Sequence, residues 1–345
     1  MMRRQGKPLL AVVSLLAVLG CGGDRDGTPS AAADYHLDPP ELANMLVADG
    51  EPGVPVLCYH YFRKDFEPGY LLKVVGSLLF GMPALGDREF WTTPHAEFER
   101  HLAWFRDSGT RVMTLDEVAD LVAAGRPLPE RAVVLTIDDA DRSVYEIAWP
   151  LLQEYGVRAH LFVPTAKVGG RWSGLEVCTW EQLRRMSDSG AVLVESHTRD
   201  LHYKIRTRAG LEPVFWHPGA VPLDLHSSER DSLAARWATA EPAVTGGDPL
   251  LLLGGARGPV AVDLVSSRLD ILAGTGRAPR WLAWPYGFAN GDLNTMARGL
   301  GFRGTVSLRP EVFSAADTLL AVGRVTLTAK STMGQISGIW APAVP

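Results

Sequence analysis

The stretch that decides the fold is residues 127–163, PLPERAVVLTIDDADRSVYEIAWPLLQEYGVRAHLFV. The apolar run at 132–136 predicts a buried strand. Ser143, followed three residues later by a glutamate, has the capping-box pattern of a helix start, and Gly156 predicts the helix end. The apolar run at 159–163 predicts a second strand. A strand, a helix and a strand in this order predict two parallel strands joined by the helix.

The same alternation continues on both sides of this unit. Further apolar runs predict strands at 54–58, 191–196, 281–284, 305–308 and 324–328. Capping residues and helical spacing predict helices that begin near 94, 114, 179, 262 and 292. Seven or eight such units predict an α/β fold, a distorted and nearly closed (β/α)7-8 barrel. Residues 63–91 and 203–258 do not fit this rhythm, and we expect them to be insertions that border the site.

Composition narrows the class of protein. The chain has 345 residues, of which 46% are hydrophobic and 21% charged, so a disordered or coiled-coil chain is excluded. The net charge of −5 gives no reason to expect nucleic acid as a partner. Three cysteines cannot form a disulfide scaffold. Cys58 lies in an apolar run and is predicted to be a buried thiol, although export would permit it to pair with Cys178.

The first residues predict a targeting signal. Residues 1–20 combine a positive start with an apolar run too short to span a membrane. Cys21 follows in a context that resembles a bacterial lipobox, so we expect a lipoprotein, with ordinary cleavage near Gly20 as the alternative. Residues 21–53 would be a tether and N-terminal extension. The expected location is the outer membrane, facing the periplasm or the cell surface.

Polar residues cluster directly after four predicted strands. The clusters are Cys58-Tyr59-His60, Thr136-Ile137-Asp138-Asp139-Ala140-Asp141, Ser196-His197-Thr198-Arg199-Asp200-Leu201-His202 and Trp281-Leu282-Ala283-Trp284-Pro285-Tyr286-Gly287. Because the carboxyl ends of parallel strands form one face of a barrel, we expect these clusters to meet there.

The residue types favour a metal site with an acid and a base. Three neighbouring carboxylates repel one another unless a cation or a proton relieves them, although helix capping is an alternative. His197 and His202 are five residues apart, which does not align them on a helix but lets them converge from a loop. One carboxylate and two neutral imidazoles suit Zn²⁺ with an open position, and the spare carboxylate can act as a base. Solvated loop histidines are the alternative.

The four motifs VPVLCYH, LTIDDAD, SHTRDLH and WLAWPYGF, in this order, resemble the polysaccharide deacetylases of carbohydrate esterase family 4, the NodB-homology domain. The resemblance covers about residues 54–330 and leaves 331–345 as a C-terminal tail. Within the family, the chain is most similar to the poly-β-1,6-N-acetylglucosamine N-deacetylase branch. The resemblance implies hydrolysis of N-acetyl groups on an acetylated glycan polymer, with release of acetate.

The resemblance also implies a role for each matching residue. Asp139, His197 and His202 would bind the metal, most simply Zn²⁺, with Ni²⁺ or Co²⁺ as alternatives. Asp138 would be the general base, and His60 would be the general acid.

Three residues of the last motif would bind substrate. Tyr286 would line the site and offer its backbone N–H to the oxyanion, while Trp284 and Pro285 would shape the sugar pocket. Core packing around a tight turn is the alternative for this motif. Partners implied beyond the glycan are the membrane, through the N-terminal lipid, and polysaccharide export proteins.

The chain departs from the family pattern at three points. Ala140 stands where glycine is usual, no histidine follows His226, and Ala283 stands where many members have arginine. Arg324, at the start of the last predicted strand, is a candidate replacement for that arginine. Alternatives to the main interpretation are a deacetylase of peptidoglycan or chitin-like polymers, an O-acetyl esterase, and a non-catalytic glycan-binding lipoprotein.

Overall fold

The computed structural model describes residues 53–65, 90–221, 258–287, 290–329, 331 and 333–338. The predicted signal, Cys21, His226 and most of both predicted insertions lie outside the described residues. Within these ranges, no helix is both long and apolar enough to cross a membrane.

The core of the described chain is a parallel sheet. Its strands are β1 (Val56–Tyr59), β2 (Arg111–Met113), β3 (Ala132–Ile137), β4 (Ala159–Val163), β5 (Val192–Ser196), β6 (Trp281–Ala283), β7 (Gly304–Val306) and β8 (Val325–Thr326). Their order is β7-β6-β5-β4-β3-β1-β8, and β2 pairs with β3. A parallel bridge between Val306 and Val322 connects β7 to the segment that enters β8. The predicted distorted and nearly closed barrel is therefore confirmed.

Helices follow the strands as expected. They are α1 (His95–Asp107), α2 (Leu115–Ala123), α3 (Trp149–Glu154), α4 (Trp180–Asp188), α5 (Gly258–Thr275), α6 (Gly291–Gly299) and α7 (Met333–Gly338). Thr114 and Thr179 form the two predicted capping boxes, which satisfy backbone N–H groups at the starts of α2 and α4.

Two predicted helix starts differ in detail from the structure. Ser143 forms no cap, because its Oγ accepts a hydrogen bond from the backbone N–H of Phe62. A π-helical turn, Val144–Ala148, precedes α3 there. The first helix begins at His95 and not at Pro94, because Thr92–Pro94 pairs as a short strand with Tyr61–Arg63.

Burial of the sheet supplies the core. All six residues of β3 and all five of β4 are buried. A fully buried side chain such as Leu135 stabilises the fold by about 1.5–3 kcal/mol through the hydrophobic effect. Cys58 and Cys178 are both buried and free, which confirms the buried thiol and excludes the pairing in this structure.

Candidate metal centre

Two neighbouring carboxylates leave the carboxyl end of β3 in different directions. Asp138 and Asp139 are both buried, directly after the last residue of the strand. Asp139 and Ala140 have φ angles of 68° and 53°, in the left-handed region that costs a non-glycine residue roughly 1–2 kcal/mol. This sharp turn lets the two side chains enter different surroundings.

Asp139 faces the two predicted histidines. Its Oδ2 accepts a hydrogen bond of 2.6 Å from the Tyr61 hydroxyl. Its Oδ1 is buried, has no hydrogen-bond partner among the described residues, and lies 3.6 Å from His197 Nε2 and 3.5 Å from His202 Nε2. The three side chains offer ligand atoms that all lie within 4.8 Å of one another.

The histidines present lone pairs to this space. His197 follows β5 directly, and its Nδ1 donates to the Ala283 carbonyl at 2.7 Å, which leaves Nε2 unprotonated in the neutral ring. Burial lowers the pKa of His197 to about 4 and, likewise, the pKa of His202 to about 4. Both rings are therefore neutral near pH 7.

This donor set fits a divalent cation. A carboxylate oxygen and two neutral imidazoles face one another without a hydrogen bond between them, although a buried acceptor without a partner costs about 1–3 kcal/mol. Two ligands of one tetrahedral Zn²⁺ stand about 3.4 Å apart at usual bond lengths, close to the separations observed here. The residues form a divalent-metal site; their chemistry alone does not select among Zn²⁺, Ni²⁺ and Co²⁺.

Asp138 is held by Arg324 and not by the histidines. Its two oxygens accept hydrogen bonds from Arg324 Nη1 at 2.7 Å and Nη2 at 2.9 Å. Burial alone would raise the pKa of Asp138, but the Arg324 guanidinium and nearby imidazoles hold it well below its usual range. Asp138 is thus an oriented, ionised carboxylate beside the metal site.

His60 adds a second ionisable group to this side. It follows β1, its ring centroid lies 4.8 Å from that of Trp91, and its buried Nδ1 has no hydrogen-bond partner within the part of the chain that the structure describes. Burial lowers the pKa of His60. Cys58, His60 and Asp138 also come within 4.8 Å of one another. That group does not suit a second metal, because burial raises the pKa of the Cys58 thiol and Arg324 already neutralises Asp138.

Two aromatic rings pack beside His202. The Tyr286 ring centroid lies 4.6 Å from that of His202, and the Trp172 centroid lies 4.7 Å from it on another side. Lys204 Nζ lies 4.6 Å from the centre of the Tyr286 ring. The backbone at Tyr286 is left-handed, with φ of 62°, so the turn predicted there is present.

Comparison with known proteins relates the site to a family. A family model described as polysaccharide deacetylase matches residues 125–229, which include both aspartates and both histidines of the site. The chain is similar to IcaB from Ammonifex degensii, with a TM-score of 0.59 and 27% identity, covering 84% of this chain and 97% of that structure.

Curated relatives extend the comparison. The poly-beta-1,6-N-acetyl-D-glucosamine N-deacetylase of Staphylococcus aureus (strain MRSA252) is 26% identical over 197 residues, 57% of this chain and 63% of the relative. The protein of the same name from Escherichia coli (strain K12) is 26% identical over 318 residues, 88% of this chain and 40% of the relative. The chain thus spans less than two thirds of the length of these relatives.

Trp284 is placed differently from the prediction. It is fully buried, its Nε1 donates to Asn294 Oδ1 at 2.9 Å, and its ring packs against Phe215. Pro285 is buried as well. These two residues support the turn from the core, and their expected part in shaping the sugar pocket stays a prediction. Of the three predicted substrate residues, Tyr286 alone borders the metal ligands.

Sequence reasoning missed several neighbours of the candidate metal site. Tyr61 follows His60 but carries no motif of its own, and Trp91 and Trp172 lie in segments without helical or strand periodicity. Arg324 was predicted only as a candidate, and its bidentate contact with Asp138 supports that prediction. The left-handed φ of Ala140 explains why glycine would adopt this turn more easily.

Proposed function

We propose that this chain is a metal-dependent deacetylase that hydrolyses N-acetyl groups on an N-acetylglucosamine polymer. The observation that carries the proposal is the unpartnered Asp139 Oδ1, which faces two neutral imidazoles. An oriented second carboxylate, Asp138, lies beside them. A metal site with an adjacent base can activate a water molecule to hydrolyse an amide bond.

Asp139, His197 and His202 would hold the metal, and Zn²⁺ is the proposed ion. A bound divalent metal polarises the substrate carbonyl and lowers the pKa of water toward about 7. The Tyr61 hydroxyl fixes the orientation of Asp139 through Oδ2, and the Ala283 carbonyl fixes the ring of His197. Asp139 and His197 are therefore held before substrate binds.

The remaining steps use the other half of the site. Asp138 accepts a proton from the attacking water, and Arg324 keeps this carboxylate ionised and oriented. The backbone N–H of Tyr286 donates to the oxygen on which negative charge develops. The proton that Asp138 accepts reaches the leaving nitrogen through His60, which lies within 4.8 Å of Asp138, as the carbon–nitrogen bond breaks, so that acetate and a free amine are the products.

The proposed polymer is poly-β-1,6-N-acetylglucosamine. The names of the curated relatives support this choice. The aromatic rings of Trp91, Trp172 and Tyr286 near the histidines offer flat apolar faces of the kind that stack on sugar rings. We also propose that the chain is exported and anchored through Cys21 at the outer membrane, where it would meet polysaccharide export partners. The N-terminal sequence pattern supports that location.

Acetate release tests the proposal. The purified chain is treated with a chelator, metal is added back, and acetate is measured with β-1,6-linked N-acetylglucosamine oligomers. Metal-dependent release that is lost in Asp139→Asn is expected. Chitin oligomers, peptidoglycan and an O-acetylated glycan serve as parallel substrates. Release from one of these alone would replace the proposed polymer, and metal binding without release from any substrate would favour a glycan-binding role.

A further inference from the structure

The loop between the two histidine ligands is held by backbone contacts on two sides. On one side, the N–H groups of Thr165 and Ala166 donate to the carbonyls of Thr198 and Arg199 at 3.2 and 3.0 Å. Thr198 has a φ of 67°, a left-handed conformation that a β-branched residue rarely adopts. Such a backbone persists only where its surroundings determine it.

The other side of the loop is held by one carboxylate. Asp263 on α5 is buried, and its Oδ1 accepts a hydrogen bond of 2.7 Å from the backbone N–H of Arg199. Its Oδ2 accepts one of 2.8 Å from the backbone N–H of Asp200. Both oxygens are therefore committed to the backbone between the two histidines. Burial raises the pKa of Asp263 to about 7, and the two backbone N–H groups oppose this shift because they favour the ionised carboxylate.

The face of α5 toward the loop carries three polar residues, Asp263, Ser267 and Asp270, at helical spacing. Ser267 Oγ contacts Ser196 Oγ at 2.7 Å, at the end of β5. Asp270 accepts from Thr165 Oγ1 at 3.0 Å and from Arg199 Nε at 3.3 Å, so it contacts side chains only. Asp263 differs because it alone of the three bonds to the loop backbone through both oxygens.

We propose that Asp263 is a positioning residue for the metal site and acts through His202. His197 follows β5 directly and is fixed by its own bond to the Ala283 carbonyl. His202 lies at the far end of the loop, and Asp263 anchors the two peptide groups just before it. The inference rests on the proposed function in one respect, which is that Asp139, His197 and His202 bind a divalent metal.

Metal affinity tests this role without any substrate. The dissociation constant for Zn²⁺ is measured on the metal-free full chain by competition with a chromophoric chelator. Loss of an outer residue that orients a ligand typically weakens metal binding 10–100-fold, and we expect about that loss in Asp263→Ala. Asp263→Asn retains one acceptor oxygen, so its affinity for Zn²⁺ should lie between that of the unaltered chain and that of Asp263→Ala. The matched control is Asp270→Asn. Asp270 contacts side chains only, so this variant keeps the hydrogen bonds between Asp263 and the loop backbone, and its affinity for Zn²⁺ should change by less than about twofold.

A double-mutant cycle separates positioning from general destabilisation. In a His202→Ala background, Asp263→Ala should weaken Zn²⁺ binding by no more than about twofold, because the residue through which it acts is already absent. The visible spectrum of the Co²⁺-loaded Asp263→Ala chain should resemble that of His202→Ala. Equal losses in both backgrounds would overturn the inference, since a merely structural role lowers affinity in each.

The outcomes also separate this inference from the proposed function. If His202→Ala weakens Zn²⁺ binding while both Asp263 variants bind like the unaltered chain, the positioning role fails and the metal site stands. If the unaltered chain and His202→Ala bind Zn²⁺ equally weakly, the metal site and the proposed function fail together. Where Asp263→Ala does not fold, Asp263→Asn and the Co²⁺ spectrum decide the result.

Discussion

Two buried histidine–carboxylate clusters in this barrel differ in one respect. In the first, Glu195 Oε1 accepts from His160 Nδ1 at 3.1 Å, and Glu195 Oε2 accepts from the backbone N–H groups of Arg280 and Trp281 at 2.6 and 2.8 Å. His160 Nε2 accepts from the backbone N–H of Leu115 at 2.9 Å. Both carboxylate oxygens and both ring nitrogens of this cluster have partners within the protein.

The second cluster, Asp139 with His197 and His202, is incomplete, because one carboxylate oxygen has no hydrogen-bond partner among the described residues. Asp139 Oδ1 has no hydrogen-bond partner, although two imidazole nitrogens lie within 3.6 Å of it. The first cluster, which we call saturated because its side-chain polar atoms all have partners, joins strands and helices. The incomplete cluster keeps lone pairs available for a ligand. A buried carboxylate beside histidines therefore indicates a site only when its oxygens are not already used.

The largest expected effect comes from breaking the incomplete cluster. Asp139→Asn should lower acetate release by about 10³-fold or more, because a bound metal contributes several kcal/mol of charge stabilisation to the reaction. Bound metal is counted by elemental analysis of the same samples. Retained metal with full turnover in this variant would show that the incomplete cluster is not the reactive centre.

The next effect separates the two aspartates after β3. Asp138→Asn removes the proposed base and should lower turnover by about 10²–10⁴-fold. Zn²⁺ affinity should stay within a few-fold, because the side chain contacts Arg324 and is not one of the three ligands. Because the variant leaves a buried Arg324 unpaired, thermal unfolding is measured first and activity is compared well below the transition. A parallel loss of metal would contradict this division of roles.

A smaller effect is expected at the saturated cluster. Glu195→Gln places an amide NH₂ group where backbone N–H groups need an acceptor, so the free energy of unfolding should fall by about 1–3 kcal/mol. Urea unfolding measures this loss. Zn²⁺ affinity and turnover of the folded chain should change by less than about twofold. A tenfold loss of affinity would mean that the two clusters are coupled and that saturation does not mark a purely structural role.

The barrel and the faces of its strands were predictable from the sequence. Apolar runs such as 132–136 and 159–163 have one favourable location, and polar residues that follow parallel strands must meet at one end of the sheet. His60, Asp138, Asp139 and His197 each directly follow a strand, so the sequence was sufficient to bring them together.

Contacts that depend on exact side-chain placement were not predictable. Trp284 and Tyr286 are two residues apart in one motif, yet one is fully buried and the other borders His202. The left-handed backbone at Tyr286 separates them, and no residue type in the motif specifies it. Asp263 lies more than sixty residues from the loop that it holds, and an aspartate on a helix has many ordinary reasons to be there.

The incomplete cluster should also make the metal-free chain sensitive to acid. Burial lowers the pKa of His202 to about 4, whereas an unfolded histidine has a pKa of about 6.5. Between pH 4 and pH 6.5 this histidine binds a proton in the unfolded state but not in the folded state. Its contribution to the free energy of unfolding is therefore fully present above pH 6.5 and is lost as the pH decreases toward 4. Each such histidine contributes up to about 1.4 kcal/mol per pH unit.

Urea unfolding of the metal-free chain and of His202→Ala should therefore give parallel curves above pH 7 and a shallower decline in the variant below pH 6. Curves that stay parallel down to pH 5 would show that His202 is not held neutral in the folded chain.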